Sequence, residues 1–360
     1  MNKLLLSQFI DNKCFRFGQK LAEEMGCNST SASASQVECL RNLTTHEIII
    51  DHPGTFGRSM LGPKGSQAVI DGSYPNIAKP FLPHSTRYIL KNSDYNMNVD
   101  ILSGSNKDDG LEFTAQFYNN SRLLELYKNR WYDPVYHFGA QNLFILEDYT
   151  HVPDSINRQV EKATNFYLGD IKYLDLVNIT HFTNMYTDSW YFFSAYDFIS
   201  KHLPNKGSSN KIYQYQYSYQ GDNSLSVEKG YGGPFGVSHC DETFLQFHPY
   251  MNKSFSLSKM DNLQSKLLIK LWKNFVKTGN PSTENIEWDP ITDINNWAYL
   301  NIQTSSVMEH SVDVENRMKF WEDLLNPNSA QQQTLGSGLM NNLLISLALI
   351  SYIITNAISL

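Results

Sequence analysis

Across residues 257–275 apolar side chains recur at three- and four-residue steps, with Leu257, Met260, Leu263, Leu267, Leu271 and Phe275 in turn, and the run stops at Gly279 with Pro281 just beyond. That spacing predicts a long amphipathic helix which buries those residues and leaves Lys266, Lys270, Lys273 and Lys277 on a solvated side. Residues 212–219 (IYQYQYSY) carry the other period: Tyr213, Tyr215, Tyr217 and Tyr219 alternate onto one face of a predicted strand, which Gly221-Asp222-Asn223 ends. A short apolar run at residues 99–102 leads into GSNKDDG at 104–110, a turn-rich stretch of the kind that follows a buried strand. Residues 14–25 have helical spacing, with Phe15, Leu21 and Met25 near one face and Gly26 as the stop. Long helices among well-separated short strands predict a mixed α/β domain with strands buried between helices.

The strongest shift in pattern comes at the end. After Asp323 the chain has no charged residue, residues 326–342 are polar, and residues 343–360 (LLISLALISYIITNAISL) are almost wholly apolar. The expected division is one domain over 1–325, a polar linker over 326–342 and a hydrophobic tail. The tail is about long enough to span a bilayer, yet no Lys or Arg follows it as a basic stop. Small residues Asn328, Ser329 and Ala330, a polar spacer and a terminal apolar run match a glycosylphosphatidylinositol attachment signal. A tail anchor and a buried C-terminal helix are the alternatives. Either membrane reading puts the chain at the cell surface, and N-x-[ST] sequons at Asn28, Asn42, Asn119, Asn178 and Asn252 are compatible with secretory passage. Residues 4–10 make a poor signal peptide, so the expectation is that the natural N-terminus lies elsewhere.

Composition narrows the function classes. Lys+Arg 29 against Asp+Glu 36 gives a net charge of −7 with no densely basic stretch, so the electrostatic footprint of nucleic-acid binding is missing. None of the 4 cysteines forms a C-x-x-C pair or a zinc-ligand spacing with the 10 histidines, so neither a metal nor another cofactor is expected.

Two residues carry candidate chemistry. His239 stands in GVSHCDE (236–242), after the Tyr-rich strand and a Gly/Pro-rich loop. A histidine beyond a strand end can turn its imidazole into a cleft and exchange a proton near neutral pH. Asp109 precedes Gly110, where simple turn chemistry is the competing explanation. Together they have the order acid then histidine, the later two members of a Ser, Asp/Glu, His triad of α/β-hydrolases.

At these residues the chain resembles a type-B carboxylesterase, the group that includes cholinesterases and insect juvenile-hormone-type esterases. The likeness extends from about Phe15 to Leu324. It rests on Gly26-Cys27 with Cys39-Leu40-Arg41, ILSGSNKDDG at 101–110, FGVSHCDE at 235–242, WKNFVKTGNP at 272–281 and FWEDL at 320–324, in the family's order. The resemblance implies the C-terminal portion of an α/β-hydrolase fold, with a mostly parallel sheet flanked by helices, and a Cys27–Cys39 disulfide. It also implies Asp109 as triad acid, His239 as general base and a small-molecule carboxylic ester as substrate. The family usually has Glu where Asp109 stands, a side chain longer by one methylene.

No G-x-S-x-G and no Gly-rich oxyanion loop of the H-G-G-G type occur in the 360 residues. Without the nucleophile and the oxyanion donors, the expectation is a truncated hydrolase that is inactive alone. A non-catalytic extracellular adhesion module of the neuroligin kind, with a protein partner, is the alternative that the same resemblance allows.

Overall fold

Strand β1, Ile101–Asn106, opens a four-stranded sheet that continues through β2, Ile212–Tyr217, β3, Ala298–Ile302, and β4, Val307–His310, in that spatial order. The first three strands run parallel, with Ile101 opposite Ile212 and Tyr215 opposite Leu300, and β4 adds to the edge antiparallel. The computed structural model describes residues 98–128, 154–169, 175–205, 207, 209–247 and 256–325, with shorter stretches between residues 22 and 95. A two-residue antiparallel pair, Arg58–Ser59 with Gly62–Pro63, lies apart from the sheet.

The helices in chain order are α1 Ser33–Arg41, α2 Thr86–Lys91, α3 Leu111–Thr114, α4 Ser121–Lys128, α5 Asp154–Leu168, α6 Ile179–Tyr186, α7 Phe193–His202, α8 Leu225–Glu228, α9 Asp241–Gln246, α10 Lys259–Thr278 and α11 Val312–Leu325. They form two layers, because β2 and β3 send alternate side chains to opposite faces. Ile212 and Tyr299 join one core, with Phe182 and Tyr186 of α6, Phe192, Trp297 and Trp321. Tyr213, Tyr215, Tyr217 and Leu300 join the other, with Leu268 and Leu271 of α10 and Trp288. The parallel strands are covered on both sides, so the Tyr-rich face is one of two buried faces and not the buried half of an exposed sheet.

Three sequence expectations change in detail. Strand β1 runs on through Gly104, which was expected in the following turn. A Cβ there would come within 2.2 Å of the Tyr215 ring on β2, so only glycine lets that ring lie across the neighbouring strand. Part of the stretch between Cys27 and Cys39, whose Ser/Thr-rich sequence reads as a loop, is helix α1, and Cys27 and Cys39 are bonded with Cα atoms 5.7 Å apart. Of the helix expected over residues 14–25, Ala22 and Glu23 are described and helical; Gly26 has φ +70°.

The third change is a rotation of α10. Met260 and Leu263 are exposed, and the buried stripe is Asp261, Gln264, Ser265, Leu268 and Leu271. The helix start explains it. The Ser258 hydroxyl accepts from the Asp261 N–H, and Asp261 accepts in return from the Ser258 N–H, a reciprocal cap. The buried Asp261 carboxylate also accepts from the Tyr219 hydroxyl at 2.9 Å, just beyond β2. A polar group held from two sides turns inward, and the apolar residues one and two positions away turn out. Gly279, at φ +70°, closes the helix as expected.

Helices α6 and α7 are joined by a π-helical stretch, Thr187–Phe192. A π turn widens the helix and redirects consecutive side chains. Here it sends Asp188 into the core, where Arg317 of α11 donates to both carboxylate oxygens at 3.0 Å. The hydroxyl of Tyr167 on α5 donates to Asp188 at 2.5 Å and accepts from the Trp321 indole at 2.8 Å. These bonds fasten α5, the π-helical stretch and α11 through one buried carboxylate.

Candidate active site

Strand β1 ends at Asn106, and Lys107 to Gly110 turn the chain directly into α3. Gly110 sits against α6: a Cβ at that position would lie 2.2 Å from the Thr183 carbonyl oxygen, and its N–H donates to the Thr187 hydroxyl at 2.9 Å. The turn is tied on its other side to the segment before His239. Asp108 donates its N–H to the Val237 carbonyl and accepts the Val237 N–H on its carboxylate, each at 3.0 Å.

With Asp108 so engaged, Asp109 is the carboxylate that meets the histidine. Its Oδ1 lies 3.1 Å from His239 Nδ1, and its Oδ2 accepts the Asn106 N–H at 2.9 Å. The backbone fold of the turn makes up for the missing methylene. Asp109 is 2% exposed. Burial pushes its pKa above the ordinary carboxylate value, while the bonds from His239 and Asn106 pull it back. At His239 burial works downward, but the neighbouring Cys240 sulfur and the Asp109 carboxylate together raise the imidazole well above its ordinary value. With Asp109 ionised, the imidazole donates through Nδ1–H, which leaves Nε2 on the far edge of a ring whose side chain is a quarter exposed.

The histidine side is held by its own turn. Cys240 takes a left-handed conformation at φ +68°, an unusual state for a residue with a Cβ, and α9 starts immediately after it. The buried Asp241 carboxylate accepts from the Ser238 and Leu225 N–H groups at 2.8 Å each, and burial raises its pKa to about 7. Cys240 is the one free cysteine among the described residues.

The sequence singles out none of four further residues at this site, Asn106, Glu242, Tyr191 and Glu112. The Asn106 side chain donates to the Ser238 carbonyl at 2.6 Å and to Glu242 at 2.5 Å, and so stitches the acid turn to the histidine turn. Glu242 is a second carboxylate, half-buried, its pKa raised by burial and by Asp109. The Tyr191 ring, from the π turn, lies with its centroid 4.6 Å from that of His239. Its hydroxyl donates to Glu112 of α3, whose other oxygen is 3.7 Å from Lys229 Nζ. The only hint at Asn106 and Glu242 was their place inside the two family-like segments.

Among the described residues no group of three or more His, Cys, Asp or Glu side chains could hold a metal ion, and no helix is long and apolar enough to cross a membrane. Of the sequons, Asn42 is exposed just after α1. Asn119 is exposed but donates to the Tyr231 carbonyl at 2.5 Å, and Asn178 is half-buried and accepts from the Asp175 N–H at 2.9 Å. Asn28 and Asn252 lie outside the described residues, as do Asn328, Ser329, Ala330 and the whole of 326–360.

Residues 3–321 match the model of the carboxylesterase family. Among curated proteins, the juvenile hormone esterase of Tribolium castaneum is 27% identical over 287 residues, covering 75% of this chain and 46% of its own length. Carboxylesterase 1C of Rattus norvegicus is 26% identical over 325 residues, or 88% of this chain and 51% of its own. The chain thus spans about half the length of the curated relatives it matches. The crystal structure of juvenile hormone esterase from Manduca sexta superposes with a TM-score of 0.59 at 15% identity, over 86% of this chain and 56% of that one. That likeness makes the fold an α/β-hydrolase.

Proposed function

Because the chain belongs to the carboxylesterase family, we propose that it supplies the acid and the base of an acyl-serine ester hydrolysis, with Asp109 and His239 in those roles. The observation that carries this reading is the 3.1 Å contact between His239 Nδ1 and a carboxylate only 2% exposed. Asp109 fixes the Nδ1–H tautomer, so Nε2 accepts the proton of a serine hydroxyl as its oxygen attacks the ester carbonyl. The imidazolium then returns that proton to the leaving alcohol, and the cycle repeats with water to release the acid. The same contact favours a hydrolase over a non-catalytic adhesion module, which has no use for a buried carboxylate clamped to an imidazole. The substrate class is a small-molecule carboxylic ester, in keeping with the names of the relatives.

No serine of these 360 residues stands in a G-x-S-x-G elbow, so in this reading the nucleophile comes from a segment outside them. The 360-residue chain should turn over no aryl ester and take no label from a fluorophosphonate. A product that carries a G-x-S-x-G segment ahead of it should do both. Turnover by the 360-residue chain that disappears in His239→Ala would overturn the assignment of the nucleophile.

The Cys27–Cys39 disulfide and the exposed sequon at Asn42 support passage through an oxidising, secretory compartment. The charge-free apolar tail supports a cell-surface site with lipid attachment at residues 328–330. Expressed behind a secretion signal, the protein should be released from cells by a phosphatidylinositol-specific phospholipase. Retention on the membrane, with Leu360 still at the C-terminus by mass spectrometry, would identify the tail as a spanning anchor instead.

A further inference from the structure

We propose that Tyr191 is a positioning residue for His239, its ring held by the Glu112 carboxylate so that it faces the imidazole and stabilises the imidazolium formed during proton transfer. The inference rests on the reading of His239 as the general base, and the geometry behind it is independent of that reading.

The Asp109 hydrogen bond acts in the plane of the imidazole, at Nδ1. It leaves the ring able to rock about the line between Nδ1 and Oδ1. The Tyr191 ring closes one side, with centroids 4.6 Å apart and planes 36° from parallel. This is inside the range of about 6 Å over which a cation is attracted to the face of an aromatic ring. The phenol is itself fixed, because it donates to Glu112, whose side chain is only 7% exposed and lies 3.7 Å from Lys229. Donation to an anion moves electron density toward the phenol oxygen and its ring, which makes the ring face more negative. A neutral imidazole gains little from that face and an imidazolium gains more, so the contact strengthens as the proton arrives.

The charged and titratable groups that act on His239 are Asp109 from the β1 turn and, beside it, Cys240 and Glu242, while Glu112 of α3, with Lys229 after α8, reaches the ring through the Tyr191 hydroxyl. All of them remain when Tyr191 alone is changed. A titration of the 360-residue chain labelled with 13C at histidine Cε1 reads the contribution of the ring, with the His239 resonance assigned by its loss in His239→Gln; every Tyr191 variant also takes the phenol hydroxyl from Glu112, so Tyr191→Phe is the reference that separates the ring from that bond. Tyr191→Leu should lower the His239 midpoint by about 0.5 to 1 pH unit. Tyr191→Phe should retain most of the wild-type value. Pentafluorophenylalanine in place of that Phe keeps the shape of the ring and reverses the sign of its face, and it should lower the midpoint as far as Leu does. An unchanged midpoint in Tyr191→Leu, or equal midpoints for the two phenylalanines, would overturn the proposal. If Tyr191→Leu does not fold, the comparison of the two phenylalanines decides by itself. The measurement needs no ester turnover, so a failure here is distinct from a failure of the hydrolase reading.

Discussion

In a product that joins this chain to a segment carrying G-x-S-x-G, the proposed role of His239 as the base of a triad whose members act as one unit means that His239→Gln should lower kcat/KM for ester hydrolysis by at least about 10³-fold. Asp109→Asn should cost a similar factor for a different reason. The amide can present an N–H to Nδ1, which forces the proton onto Nε2, the atom that has to receive it from serine. Asp109→Glu keeps a carboxylate and should retain more activity than Asp109→Asn. The control is Asp108→Asn: the Asp108 carboxylate accepts the Val237 N–H, a role that an amide oxygen can fill, so the rate should change little. Steady-state kinetics on the four variants checks the ordering. A full rate in His239→Gln would remove it from the mechanism, and a greater loss in Asp108→Asn than in Asp109→Asn would move the acid by one residue.

The second prediction concerns stability and can be measured on the chain alone. Burial raises the Asp188 carboxyl from the ordinary 3.8 to about 6, outweighing the opposing pull of Arg317. A folded-state pKa above the unfolded one means that, at pH values between the two, the folded state binds more protons. The contribution of this group is then fully present below the unfolded value and is lost as pH rises through the folded one. The shift corresponds to about 3 kcal/mol at 1.36 kcal/mol per unit. The stability advantage of the wild-type chain over Asp188→Asn should accordingly shrink by about that amount between pH 4 and pH 7, measured by denaturant unfolding at several pH values. An advantage that grows with pH would show that the Arg317 ion pair prevails over burial.

The elements that the sequence predicts well are those that enforce their own pattern. The period-two tyrosines define β2, since any strand at that position has to send them to one face. The stop of α10 at Gly279 follows from cap chemistry within a few residues. The Cys27–Cys39 pairing, the α/β-hydrolase fold and the Asp109 and His239 candidates were legible through segments that resemble a family. Other elements were not legible at all. Strand β3 and helix α7 are buried on more than one side, so no single period describes them, and β4 is a four-residue, partly exposed edge strand too short to show one.

What the sequence by itself determined is the type and order of the strongly periodic elements, the net negative charge, the charge-free tail and the two residues whose chemistry suits proton transfer. Only the tertiary structure decided which way each element faces. Apolar spacing allowed α10 to bury Met260 and Leu263; the Asp261 carboxylate, held by Ser258 and Tyr219, turned them outward. The adjacent carboxylates of Asp108 and Asp109 are told apart in sequence only by the family resemblance; the physical reason is the Val237 N–H, which engages the first and leaves the second to His239. Tyr191 gave no signal, since it reaches His239 only through a π turn that redirects consecutive side chains. The reason is common to these cases: periodicity fixes which residues share a face, whereas orientation depends on hydrogen-bond partners far away in the chain, and a buried polar group takes the orientation in which those partners satisfy it.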